Sequence, residues 1–258
     1  MRSVLVTAVM WGTGLLGCGA QVIDGRSHEP DAAPADAAEI DAPPDDADIV
    51  PIDSATARCA SRTVYLNFDG QTLQQGPSDA TINTASWITG RTTGTAPPYL
   101  NGNGGRDATI QAIVNGVRAQ LSQFPVTVVT TRPNSRSYVM IVFGGQMNQV
   151  GSQYSGAVNA LDCDDLRPND VAWISDGVTP TQRVINYAIG AIGFGLGLTA
   201  TNDPNDCMCS WDNGCQPNAN APCRLSSPIA RDPNANKKCP TASPSQDEVA
   251  TFHKAFCE

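Results

Sequence analysis

The residues able to do chemistry in this chain are its cysteines, a few clustered aspartates and two histidines. There are nine cysteines in 258 residues. Setting Cys18 aside leaves Cys59, Cys163, Cys207, Cys209, Cys215, Cys223, Cys239 and Cys257, and six of these fall within the last 52 residues. That stretch is rich in Pro, Asn and Asp with little hydrophobic periodicity, so a core alone would hold it poorly and disulfides are expected to hold it instead. Eight cysteines allow about a hundred pairings, and spacing does not choose among them. Zinc binding by Cys207-Met208-Cys209 with later thiols is the competing chemistry, disfavoured by the lack of a repeated Cys-x-x-Cys spacing. Asp203 and Asp206, with Asp162, Asp164 or Asp165, could offer hard oxygen ligands to calcium, although Asp203-Pro204-Asn205-Asp206 is equally turn chemistry. Of the two histidines, His28 lies in an acidic segment and His253 in a helical run, Gln246 to Phe256, where a surface imidazole competes with metal ligation. No Gly-x-Ser-x-Gly, phosphate-binding loop or dinucleotide fingerprint is present. No cofactor and no metal are predicted.

The elements that must position these residues show a clear rhythm. Thr63 to Phe68 is β-rich and ends in the turn signal Asp69-Gly70. A long Gly/Thr/Pro/Asn region follows as far as Gly105. Asp107 then stands as an N-cap before Ile110, Ile113, Val114, Val117, Leu121 and Phe124, which share one stripe of a helix that Pro125 breaks. Val126 to Thr130, Tyr138 to Phe143 and Asp170 to Ile174 read as strands. The pattern predicts an α/β fold with a mixed twisted sheet, an amphipathic helix, a buried central helix and a disulfide-rich C-terminal part over 203–258.

The formal charge of −9 is unevenly spread. Residues 21–55 hold ten acids and one base, while residues 56–258 carry 15 acids and 14 bases. A near-neutral body has no electrostatic footprint for phosphate backbones, so nucleic acid is not an expected partner. Ahead of the acidic stretch, Arg2 and the apolar run Val4 to Leu16 read as an export signal, too short to span a bilayer. The run meets Leu15-Leu16-Gly17-Cys18, which resembles the bacterial lipobox and implies cleavage after Gly17 and acylation of Cys18; an ordinary secretory signal with an incidental cysteine is the alternative. Gly19 in place of Asp favours the outer membrane under the sorting rule that resemblance implies. Between Glu29 and Asp48, 19 of twenty residues are Ala, Asp, Pro or Glu. Such a stretch cannot offset its ordering entropy, so residues 18–57 read as a tether reaching up to about 120 Å. The bland role is a spacer, and binding of cations or a basic partner is the other. The expected organisation is a signal peptide over 1–17, the tether, and a globular domain over 58–258.

The most informative segment is Arg183 to Thr201, because Val184 to Asn202 contains no charge. Four glycines, an Asn and a Tyr make it a poor membrane span and a good buried helix over 184–198. The succession of strand, amphipathic helix, three strands, central helix and Asp206-Cys207-Met208 resembles the metzincin metalloproteases, in particular exported bacterial matrixin-like domains. That resemblance covers about 63–210. It implies a central helix carrying HExxHxxGxxH, in which three histidines bind zinc and the glutamate activates water, above a Met-turn. With Gly195 on the motif glycine, Ala188, Ile192 and Leu198 fall on the three ligand positions, Ile189 on the glutamate, and Met208 on the Met-turn.

None of those four side chains can ligate zinc or take a proton from water. The resemblance therefore implies a lipid-anchored envelope protein with a catalytically inactive metalloprotease-like domain, serving as a binding or surface module for an unidentified protein or peptide. Two alternatives from other classes stand beside it. One is a hydrolase using nonstandard ligands such as Asp203, Asp206 and His253. The other is a disulfide-stabilised envelope scaffold unrelated to metzincins.

Overall fold

The computed structural model describes residues 62–209, 211–212, 214–240 and 242–256. The expected signal peptide over 1–17, the expected tether over 18–57, and Cys18, His28, Cys59 and Cys257 lie outside the described residues.

The fold is mixed α/β. Its main sheet is built from β1 (Thr63–Asn67), β5 (Thr127–Val129), β6 (Tyr138–Phe143), β7 (Ala157–Val158) and β8 (Val171–Ile174), in the order β5-β1-β6-β8-β7. The first four in that order run parallel, and β7 pairs antiparallel with β8 at the edge. All six residues of β6 are buried. The reason is that both faces of the sheet are covered, which a near-continuous apolar strand requires. Ile141 and Phe143 join Val64, Leu66, Ala172 and Ile174 in a core shared with the helices. Tyr138, Met140 and Val142 join Tyr65, Val171 and Trp173 in a second core on the opposite face.

That second layer was not foreseen. It is a small sheet of β2 (Gln71–Gln75), β3 (Thr84–Ala85) and β4 (Thr93–Ala96), built in the stretch that reads as loop. Its strands are short and polar, and only Leu73, Ala80, Ala85, Trp87, Ile88 and Ala96 turn inward. The Trp87 indole N–H donates to the Val171 carbonyl at 2.7 Å, tying the layer to the main sheet.

On the other face lies α1 (Arg106–Gln120), packed on the central helix α3 (Thr181–Gly195). The N-cap of α1 is Gly105 and not Asp107, which sits one residue inside the first turn. Arg106 displaces the expected start, because its guanidinium must reach the carbonyls of Tyr99 and Phe68, at 2.8 and 3.0 Å. The helix also stops before Pro125: Leu121 closes it, and a tight turn then carries Phe124 onto Phe252 and His253. The four-residue α2 (Met147–Val150) bridges to β4. Helix α3 begins earlier than the expected 184–198, with Pro180 as its N-cap.

The C-terminal part holds a two-stranded pair, β9 (Ile229–Ala230) with β10 (Ser245–Gln246), and α4 (Glu248–Phe256). Phe252 and Phe256 of α4 insert fully into the helix-side core. Among the described residues three disulfides close this region: Cys163–Cys239, Cys207–Cys223 and Cys209–Cys215. The zinc-thiolate alternative is thereby corrected for Cys207, Cys209 and Cys223: Cys207 and Cys223 are bonded to each other and Cys209 to Cys215.

Candidate functional groove beside the central helix

Helix α3 is buried almost all round from Val184 to Gly195. The positions that the resemblance assigns to ligands and base, Ala188, Ile189, Ile192 and Leu198, are at most 1% exposed, as is Met208. They are core residues. Met208 does come up against the helix: its sulfur would lie 2.8 Å from a Cβ at Gly193. Asp206 braces that turn, its Oδ1 accepting the Met208 N–H at 2.8 Å and the Thr201 hydroxyl at 3.0 Å, its Oδ2 the Ser226 hydroxyl at 2.9 Å. Flanking disulfides from Cys207 and Cys209 lock the same turn from both sides.

The chain reversal after α3 occurs at Gly197, not at Gly195. Gly197 has φ of +85°, and the N–H of Leu198 closes back onto the Gly193 carbonyl at 3.0 Å. Gly195 is the last helical residue and is small for another reason, since a Cβ there would stand 2.4 Å from Asp170 Oδ2.

The proposed oxygen ligands do not converge. Asp203 accepts the Asn205 N–H at 2.9 Å, as a turn residue does, and Asp162 is held by Arg167 through its backbone N–H at 2.6 Å and its guanidinium at 3.2 Å. Asp165 pairs with Arg62 at 2.6 Å, and Asp164 is exposed. His253 stacks edge-on against Phe124 with centroids 4.8 Å apart. Among the described residues no three His, Cys, Asp or Glu side chains are grouped to hold a metal ion.

Two buried carboxyls carry perturbed acidity. Asp170 is pushed up to about 8 by burial, then by the Asp162 carboxylate, against the opposing pull of Arg167. Glu248 is pushed well above the usual carboxylate range by burial and by the neighbouring Asp206. Glu248 accepts from the Ser226 N–H and the Gln246 amide at 2.9 and 2.7 Å, and the Ser226 hydroxyl in turn reaches Asp206, linking the start of α4 to the Met208 turn through Ser226.

Beside α3, between it and the edge strand β7, a half-open cavity of about 240 Å³ remains. Its walls include Tyr154, Ala157, Tyr187, Phe194, Trp211 and Lys237. The Phe194 and Trp211 rings lie 5.3 Å apart. Trp211 is pressed onto the helix so closely that a Cβ at Gly190 would be 2.0 Å from its indole nitrogen. Along the other wall, the Ser175 N–H donates to the Gly156 carbonyl at 2.8 Å, so Gly156–Ser175 is a hydrogen-bonded pair and Ala157–Ile174 is not. By antiparallel alternation the N–H and C=O of Ala157 then point away from β8, toward the open edge. The opposite edge of the sheet is treated differently: Arg118 caps the Val128 carbonyl of β5 with two N–H groups, at 2.9 and 3.3 Å. The groove was missed by sequence reasoning. Its one available signal was the aromatics, scarce at 6% of the chain, recurring at 154, 187, 194 and 211 around the central helix.

A second cavity, of about 550 Å³, lies past the end of α3 and is lined by Arg62, Asp165, Leu196, Arg231 and Cys239. The Arg62–Asp165 ion pair is internal to it. No helix among the described residues is long and apolar enough to cross a membrane. No protein-family model matches the chain, and no curated protein matches it.

Proposed function

We propose that this chain is a lipid-anchored envelope protein whose metzincin-like domain has no catalytic function and binds an extended peptide segment in the groove beside β7. The anchor rests on Leu15-Leu16-Gly17-Cys18. The metzincin-like reading is supported by the succession β1, α1, β5, β6, β8, α3 and then Met208 against the helix. Counted from Gly197, which makes the turn, the motif positions become Gly190, Ala191, Phe194 and Ala200. Neither this register nor the one on Gly195 offers an imidazole or a carboxylate, so neither supports zinc-activated water.

The observation that carries the binding role is the contrast between the two sheet edges. An uncovered edge strand is a template for pairing with another chain, and proteins blunt such edges unless they use them. Here β5 is capped by Arg118, while among the described residues nothing bonds the outward N–H and C=O of Ala157 in β7, above an aromatic-lined cavity. The test uses the full chain with its disulfides intact. Metal analysis after dialysis against zinc is expected to give no stoichiometric zinc, and mixed peptide libraries are expected to be retained without cleavage. Stoichiometric zinc, or cleavage abolished by a chelator and by His253→Ala, would replace this reading with the hydrolase.

A further inference from the structure

Among the described residues lining the groove there is one cation, Lys237, and it sits against two aromatic rings. The Lys237 ammonium lies 5.2 Å from the centre of the Tyr154 ring and 5.6 Å from that of Phe194. Among the described residues it has no carboxylate within 4.0 Å, so its charge is not already neutralised by an ion pair. The adjacent Asp212 is turned to other work, its Oδ2 accepting the Lys237 backbone N–H. An ammonium held between ring faces has given up part of its hydration, and an arriving carboxylate forms a charge-assisted hydrogen bond there with less competition from water.

The geometry of the edge adds a register. A strand laid along β7 pairs with the outward N–H and C=O of Ala157 and turns every second side chain to the same face. The cavity of about 240 Å³ admits one such side chain. A glutamate fits these walls in two parts, its methylenes against Tyr187 and Trp211 and its carboxylate at Lys237. We infer that the groove selects extended peptide segments that present an acidic side chain to Lys237. This inference rests on the reading of the β7 groove as a peptide site and names what that site prefers.

The experiment uses the full chain, disulfides intact, immobilised and exposed to three pools of seven-residue peptides blocked at both ends. Each pool has randomised flanks and a fixed central Glu, Gln or Lys, and retention is read by mass spectrometry. Wild type is expected to retain the Glu pool over the Gln pool by roughly fivefold to tenfold, with the Lys pool lowest. Lys237→Met is expected to bring Glu and Gln to parity, and Lys237→Glu to favour the Lys pool. Raising the salt concentration should shrink the Glu preference. Lys237→Met gives up the two cation–π contacts but keeps an apolar side chain against the same rings and breaks no side-chain hydrogen bond among the described residues, so it should fold and melt within a few degrees of wild type, and it decides the question even if Lys237→Glu does not fold. Equal retention of Glu and Gln pools by wild type, or a Glu preference that survives Lys237→Met, overturns this inference and leaves the groove as a peptide site. Retention of no pool at all overturns the groove reading itself.

Discussion

Replacing Gly190 with Ala probes whether the space over the central helix is closed as tightly as the structure has it. A Cβ at 190 would stand 2.0 Å from Trp211 Nε1, 2.5 Å from the Cys207 carbonyl oxygen and 2.9 Å from Trp211 Cδ1. Non-bonded heavy atoms settle near 3.5 Å or beyond, so the indole would have to retreat by about 1.5 Å. It cannot do so alone, because the turn carrying it is tied by Cys207–Cys223 and Cys209–Cys215 and the carbonyl belongs to the same locked backbone. Alanine gains about 1 kcal/mol of helix propensity over glycine, while overpacking a dense interior costs about 1–3 kcal/mol and more where nothing yields. The expected net loss is about 2 kcal/mol, or a fall of roughly 4–8 °C in melting temperature for a domain of this size. Gly116→Ala is the internal control. Its Cβ would meet Ile185 Cδ1 at 2.3 Å, the far end of a side chain that can change rotamer, so gain and cost should cancel to within about 1 kcal/mol. Thermal and denaturant unfolding of both variants, disulfides intact and at one pH, measures the difference. If Gly190→Ala proves as stable as Gly116→Ala or the wild type, the indole is not seated on the helix at Gly190.

Reduction should unlock the C-terminal part first: removing Cys207–Cys223 or Cys163–Cys239 as a pair is expected to cost about 2–5 kcal/mol, with amide exchange rising over 203–256 before it rises in β1, β6 and β8. Free thiols at these cysteines in the natively produced protein would contradict that. Asp170 has its folded value raised from 3.8 to about 8, so its contribution is fully present below about pH 4 and is lost as the pH climbs through 8. Stability should therefore decline between about pH 4 and 8, Glu248 adding in the same direction, and Asp170→Asn should flatten the decline in melting curves taken across that range; an unchanged slope would remove Asp170 as the cause. At the other end of the chain, Cys18→Ala is expected to abolish lipidation and release the protein from the membrane fraction, whereas an unlipidated wild type with a different first residue would refute the anchor.

Strong periodicity made most of the main sheet and all of the long helices legible. Tyr138 to Phe143 reads as a strand because a segment buried on both faces leaves an unbroken apolar run, and α3 because its apolar stretch has no charge to expose. The small sheet β2–β4 was not legible. Its strands place few apolar residues inward, and local composition alone cannot separate such strands from loop. The two-residue edge strand β7 escaped for the same reason, since its pairing is set by β8 and not by its own residues. The sequence pattern runs the helix to 198 and puts the motif glycine at Gly195, because two glycines two residues apart serve the motif equally; the backbone ends α3 at Gly195, cramped by Asp170, and makes the left-handed turn at Gly197.

What the sequence by itself determined is chemical inventory: cysteines crowded where no core can form, a charge-free stretch from Val184 to Asn202, and only two histidines, both outside that stretch. Residue identities and local periodicity carry that information, and no folding is needed to read it. The tertiary structure alone decided which cysteines pair, that Trp211 seats on Gly190, and that Tyr154, Phe194 and Lys237 meet across an open sheet edge. These are contacts between residues tens of positions apart, and they follow from how the layers pack, which no local pattern encodes.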